Sequence, residues 1–110
     1  MSDSGNNEEM VCQIIDGIKR LPNFYKQAGS NLYELQRGDK TAIYGNQKDH
    51  IYEVFKIKVK RNVKIKGVLL DPYEKLPSNE DFGVSAFSYS DYNLAIKKFT
   101  ELEAVEDNKI

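Results

Sequence analysis

Between His50 and Gly67 the chain reads IYEVFKIKVKRNVKIKG, and this alternation constrains the fold more than any other stretch. Residues two apart share a face of a strand. Ile51, Phe55, Ile57 and Val59 therefore lie on one side, with Tyr52, Val54, Lys56, Lys58 and Lys60 on the other. The first side is the expected core. Glu53, the residue that interrupts it, suggests a position near the rim of the sheet. With extended pairing resumed after Arg61 and Asn62, Lys64 and Lys66 continue the lysine parity, and Val63 and Ile65 lie opposite. One face then carries a row of ammonium groups with no acid between Lys56 and Lys66.

Two readings of that row stand side by side. Lysines on the solvent face of a strand keep a sheet soluble and block edge-to-edge pairing. The same lysines, with Tyr52 as an aromatic neighbour, would also serve as a surface for phosphates or for an acidic protein, because clustered charge raises local anion concentration and speeds encounter.

At 110 residues the chain is one domain by length, large enough for a single modest core. Sixteen basic and seventeen acidic residues leave a formal net charge of -1, so the whole molecule is no polycation, which lowers the weight of nucleic-acid binding. The charge is segregated. Asp3, Glu8 and Glu9 sit at the start; Glu101, Glu103, Glu106 and Asp107 sit near the end, with the lysine strand between. Cys12 is the single cysteine and excludes an internal disulfide. The polar, acidic start has no long apolar run behind it, which predicts neither a secretory signal nor a membrane span, and hence a cytoplasmic protein.

Residues 1–7 are expected to be a flexible N-terminus, residues 8–104 a single α+β domain, and residues 105–110 a flexible tail. Met10, Val11, Ile14, Ile15 and Ile18 recur at helical spacing, with Glu8 and Glu9 in the first turn, and predict a helix over about residues 8–20 that Pro22 stops. The β-branched side chains keep a strand open as the alternative. An apolar stripe of this kind either covers a sheet or docks on a partner or a second copy; Met10, Val11, Ile14 and Ile18 are the interface candidates. Residues 21–31 read as a loop. Strands follow over 32–37 and 40–45 about a Gly38-Asp39 turn, and with the lysine strand they make a three-stranded antiparallel meander. Residues 68–83, with Pro72 and Pro77, read as an irregular excursion anchored by Tyr73, Leu76 and Phe82. Residues 84–89 suit a fourth strand. Ser90 suits a helix N-cap, and Tyr92, Ala95, Ile96, Phe99 and Leu102 then space a helix from Asp91 to about Glu103.

Catalytic and metal signatures are missing from the sequence: no phosphate-binding glycine loop, no dinucleotide fingerprint, no paired-cysteine or His-Glu metal motif. No catalytic residue, cofactor or metal is expected. Cys12 reads as a small buried hydrophobe and His50 as a solvated turn residue. Glu74, Glu80 and Asp81 lack the spacing of a calcium loop. The seven tyrosines suit half-buried sheet positions and interfaces, where the ring packs and the hydroxyl stays wet.

The segments YEVFKIKVK (52–60) and PSNEDFGVSAFSYSDYNLAIKKF (77–99) resemble small proteins of unknown function encoded by tailed bacteriophages and mobile elements of gut bacteria, the 77–83 loop most specifically. The resemblance implies a source, with the host cytoplasm as location, and a fold, but no mechanism. FGVSAFSYSDYNLAIKKF is also similar, more loosely, to the last strand and helix of DNA-reading domains of the plant AP2 and integrase arm-binding types, although the arginine and tryptophan of their reading face are absent.

These observations predict an α+β fold with an N-terminal helix, a four-stranded mostly antiparallel sheet and a C-terminal helix on the face of Ile51, Phe55, Ile57 and Val59. The expected function is non-catalytic binding of a protein partner, with homodimerisation through the first helix as one form of it. The alternative is DNA or RNA binding, with Lys56, Lys58, Lys60, Lys64 and Lys66 on phosphates and Tyr52 as a stacking platform.

Overall fold

The structure is a computed structural model, and it describes residues 9–27 and 29–105. In chain order its elements are β1 (Cys12–Ile15), β2 (Ile18–Pro22), β3 (Phe24–Gln27), β4 (Ser30–Arg37), β5 (Thr41–Asn46), β6 (Ile51–Lys56), β7 (Lys58–Lys60), β8 (Lys64–Ile65), β9 (Val68–Leu69), β10 (Tyr73–Lys75), a 3-10 turn (Asn79–Asp81), β11 (Ala86–Tyr89) and the helix α1 (Tyr92–Ala104). The fold is α+β with a single α-helix, C-terminal, among the described residues. The expected flexible start, residues 1–7, lies outside them, as does residue 8, where the N-terminal helix was expected to begin.

The meander forms as its alternation requires. β4, β5 and β6 are consecutive antiparallel neighbours, flanked by β3 and β11 in a five-stranded sheet of order β11-β6-β5-β4-β3. β5 is central and covered on both faces, so Thr41, Ala42, Ile43 and Tyr44 are all completely buried. Opposite residues share a face. Ile43 pairs with Val54 and Gly45 with Tyr52 on one side; Ala42 pairs with Phe55 and Tyr44 with Glu53 on the other. Gly45 leaves room for the Tyr52 ring, since a Cβ there would lie 2.5 Å from a Tyr52 ring carbon.

Ala95 and Phe99 of α1 pack on Ile43, Tyr52 and Val54. The helix thus covers the face opposite to the one expected. The Phe55 face packs against Leu21, Tyr25, Leu32, Tyr44 and Ala86, with Ile51, Ile57, Leu76 and Phe82 at its border. Val59, expected in that core, is 38% exposed. Glu53 is no rim residue either: it is 3% exposed, and the Tyr25 hydroxyl donates to its Oε1.

Asp91, not Ser90, is the N-cap of α1, its side chain accepting from the Asn93 N–H at 2.8 Å. Val105, expected in the tail, is the C-cap; its N–H donates to Leu102 and its carbonyl accepts from Lys40. Glu103 ties α1 to the β4–β5 turn by accepting from the Asp39 and Lys40 N–H groups at 2.5 and 3.1 Å.

The N-terminal helix is replaced by a β-hairpin. β1 and β2 pair antiparallel about Asp16 and Gly17, whose φ values of 56° and 76° make the mirror-image turn that suits strand twist. Asp-Gly favours that conformation, and the β-branched stripe favours strands. The hairpin belongs to a second sheet, of order β1-β2-β10-β7, in which β10 is parallel to β2 and antiparallel to β7. The expected loop over 21–31 contains β3, and the excursion over 68–83 contains β9, β10 and the 3-10 turn. The stretches 18–27 and 51–60 each leave one sheet and enter the other, at Asn23 and Ile57. β8 and β9 form a separate ribbon about Lys66 and Gly67, with φ values of 54° and 81°.

Candidate functional site

The second sheet has an unusual interior. Glu74 on β10 turns inward and is 7% exposed. Arg37 of β4 meets it with both guanidinium nitrogens, Nη1 to Oε1 at 2.9 Å and Nη2 to Oε2 at 2.5 Å. Arg20 Nη1 of β2 donates to Oε2 at 3.0 Å, and the Leu21 N–H donates to Oε1 at 2.9 Å. One carboxylate thereby joins β2, β10 and the large sheet through a two-pronged guanidinium contact. Burial raises its pKa, but the Arg37 fork, the Leu21 amide and Arg20 outweigh burial and hold it below the ordinary carboxylate value. Glu53 goes the other way: burial raises its pKa, and the hydrogen bonds from Tyr25 and Gln27 offset only part of the rise.

Outside this clasp lies a cleft of about 530 Å³ between the N-terminal hairpin and the segment leading through β10. Met10, Cys12 and Ile14 form one wall and Leu70, Tyr73 and Leu76 line the other side, with Lys19 and Lys75 also on the lining. Ile14 is 71% exposed, Met10 61% and Val11 52%. The register sets Ile14, Lys19, Tyr73 and Lys60 side by side across all four strands. Lys75 is opposite Lys58 in the next row. Both ammonium groups of that second row reach Asp81, at 3.1 and 3.0 Å. The Ser78 N–H, then Lys58 and Lys75, hold the Asp81 carboxyl well below the usual carboxylate range.

The residues singled out from the sequence are therefore dispersed. Lys56 ends β6 in the large sheet; Lys58 and Lys60 lie on β7 in the small one; Lys64 is on β8 and Lys66 in the ribbon turn. The chain changes sheet at Ile57 and bends at Asn62, whose φ is 59°, so the parity argument does not extend from Lys56 to Lys66. Tyr52 is 3% exposed, its ring 5.5 Å from that of Tyr92 under the helix, and it is no stacking platform. Tyr73 is half-buried and sits between Lys19 and Lys60 in the register. Met10, Val11 and Ile14 are exposed, Met10 and Ile14 on the cleft lining, while Ile18 on β2 is half-buried. Cys12 is half-buried in the cleft wall, and His50 is exposed in its turn at φ 55°.

Compared with protein-family models, curated proteins and solved structures, the chain matches none. Among the described residues no three or more His, Cys, Asp or Glu side chains gather where they could hold a metal ion. No described helix is long and apolar enough to cross a membrane. Sequence reasoning missed Lys19, Arg20 and Arg37, and read Tyr73 only as a loop anchor and Glu74 only as one of three loop acids. Asp16-Gly17 was the available signal for the hairpin that presents the first two.

Proposed function

We propose that the chain is a non-catalytic binding protein that works through protein-protein contacts, with the β1–β2 hairpin and its cleft as the recognition surface. One observation carries this reading: large apolar side chains that a core would take up, Met10, Val11, Ile14 and Ile15, stand exposed within six residues of chain in and just before β1. Exposed apolar clusters beside a concave surface mark interaction sites more than solvated single residues do. An accessory protein encoded by a phage or mobile element is the biological setting, on the resemblance of 52–60 and 77–99.

The test is site-specific photo-crosslinking in cells with the probe at Ile14, compared with a probe at Lys97 on the exposed face of α1. A discrete crosslinked product at Ile14 and none at Lys97 is expected. Equal or absent products at the two positions would overturn the reading. A second copy of the chain as partner would appear as a crosslinked dimer and a mass that rises with concentration.

The row of Lys19, Tyr73 and Lys60 favours a second reading, nucleic-acid binding, since a ring flanked by cations suits stacked bases and phosphates. Binding of labelled single-stranded DNA and RNA that falls steeply with salt and is lost on Lys60→Glu supports it. No binding at low salt removes it.

A further inference from the structure

We infer that the recognition surface takes an extended acidic-apolar segment of a partner protein, added as a further strand along the free edge of β1. The inference rests on the reading of the hairpin as an interface and names what that interface accepts.

Three observations carry it. First, β1 is the outermost strand of its sheet: it pairs with β2 on one side and with no strand on the other among the described residues. An edge strand presents alternate N–H and C=O groups outward, which an added strand satisfies. Proteins that avoid such pairing put charge on the edge. β1 instead reads Cys-Gln-Ile-Ile, with Ile14 and Ile15 both exposed.

Second, the side chains beside that edge set a pattern of alternation. Cys12 and Ile14 both face the cleft, and Met10 extends the same apolar wall. On an added strand, every second side chain points to this face. An apolar residue beside Cys12 and Met10 enters the cleft. Two residues along, the side chain opposite Ile14 looks down the row Ile14, Lys19, Tyr73, Lys60.

Third, that row is cationic. Lys19 and Lys60 have no ion-pair partner among the described residues, whereas Lys58 and Lys75 are held by Asp81 and Glu74 is turned inward to the two arginines. Asp71 is the one acid of the cleft lining that no described cation neutralises. The added strand lies roughly two strand spacings, about 9.5 Å, from β2. A lysine and a glutamate side chain together span that distance, so a carboxylate opposite Ile14 meets Lys19. The sign of the row selects an acidic segment and disfavours a basic one.

The experiment selects a displayed library of random linear peptides on the immobilised full chain and measures the affinity of the enriched sequences. Expected are sequences that alternate apolar and acidic residues. N-methylation of alternate amides along one edge of such a peptide should weaken binding roughly tenfold, because it removes the added ladder. Lys19→Glu should weaken it by about the same factor or more, and should favour peptides with lysine for glutamate. Lys19 is exposed, so Lys19→Glu leaves the fold intact.

No enrichment, enrichment of basic sequences, or binding indifferent to N-methylation and to Lys19→Glu would overturn the inference. If Ile14→Asp abolishes the crosslink in cells while those probes have no effect, the hairpin is an interface of another kind and the broader reading stands. If Ile14→Asp changes nothing in cells, both fall. Single-stranded nucleic acid that competes for the same surface would instead assign the row to phosphates.

Discussion

The two sheets solve opposite problems with the same strand geometry. The central strand of the five-stranded sheet is covered on both faces, with Ile43 and Val54 under α1 and Tyr44 and Phe55 beneath the small sheet, where the Tyr44 hydroxyl donates to the Pro22 carbonyl. The four-stranded sheet puts a charge at its centre and leaves large apolar residues of β1 outside. Glu74 with Arg20 and Arg37 holds it down, while Met10, Val11 and Ile14 face solvent. A sheet that spent its apolar residues on its own core would have none to offer a partner. The difference separates the part that makes the molecule stable from the part that can bind.

The comparison breaks most strongly at Phe55. It is 1% exposed and lies where the two sheets meet. Phe55→Ala should cost about 3–5 kcal/mol through the lost transfer energy and the cavity left behind. Chemical denaturation should show a lowered midpoint with both sheets lost in one transition; a midpoint close to that of the wild type would mean that the sheets do not share this core.

Glu74→Gln is expected to cost less, about 3 kcal/mol, the lower end of the range for breaking a buried ion pair, because Arg20 and Arg37 keep 28% and 25% of their side-chain surface exposed and can rehydrate. Its effect should be local as well as global. Hydrogen exchange at the Leu21 amide should accelerate far more than at the amides of β5. Equal acceleration would show the clasp to be part of the common core.

The two buried carboxylates give the comparison a pH signature. Glu74 has a folded pKa below its ordinary value of 4.5, so it contributes stability that is present above that pH and lost as pH falls through the lowered value. Glu53 has a folded pKa above 4.5, so its contribution is present below that pH and lost as pH rises through the raised value. Stability followed by thermal unfolding from strongly acidic to neutral pH should show a shallower rising limb below pH 4.5 in Glu74→Gln and a shallower falling limb above it in Glu53→Gln. The same limb made shallower in both variants would contradict the assignment.

How much of this was legible in the sequence follows from what each element depends on. The meander was readable because apolar-rich runs between Leu32 and Lys56 are joined by short turns, and α1 because Tyr92, Ala95, Phe99 and Leu102 keep helical spacing. The cap was misplaced by one residue, since Ser90 and Asp91 both suit the position. The first hairpin was misread because Met10, Val11, Ile14, Ile15 and Ile18 satisfy a helical stripe and a folded strand pair alike; Asp16-Gly17 distinguishes the two. β10 is three residues long and pairs in parallel with a strand more than fifty residues earlier, a contact that no local pattern records. Nor does a sequence mark Glu74 as buried, because its three partners come from β2 and β4. The lysine row looked continuous because parity survives only while a strand stays straight, and this one ends twice.

The smallest expected effect also divides the two hairpins. Gly17 and Gly67 both follow a residue at positive φ, have φ values of 76° and 81°, and would meet nothing within 4 Å if given a Cβ. Alanine at either position therefore costs only the left-handed backbone, about 1 kcal/mol. In Gly67→Ala that cost falls on a ribbon of two short strands and should fray it without consequence for binding. In Gly17→Ala it falls on the turn that holds β1 against β2 and hence on the edge offered to a partner. Affinity for the selected peptides should drop severalfold in Gly17→Ala and stay unchanged in Gly67→Ala, although the two proteins lose similar stability. Equal losses of affinity would mean that the ribbon of Lys64 and Lys66 belongs to the binding surface.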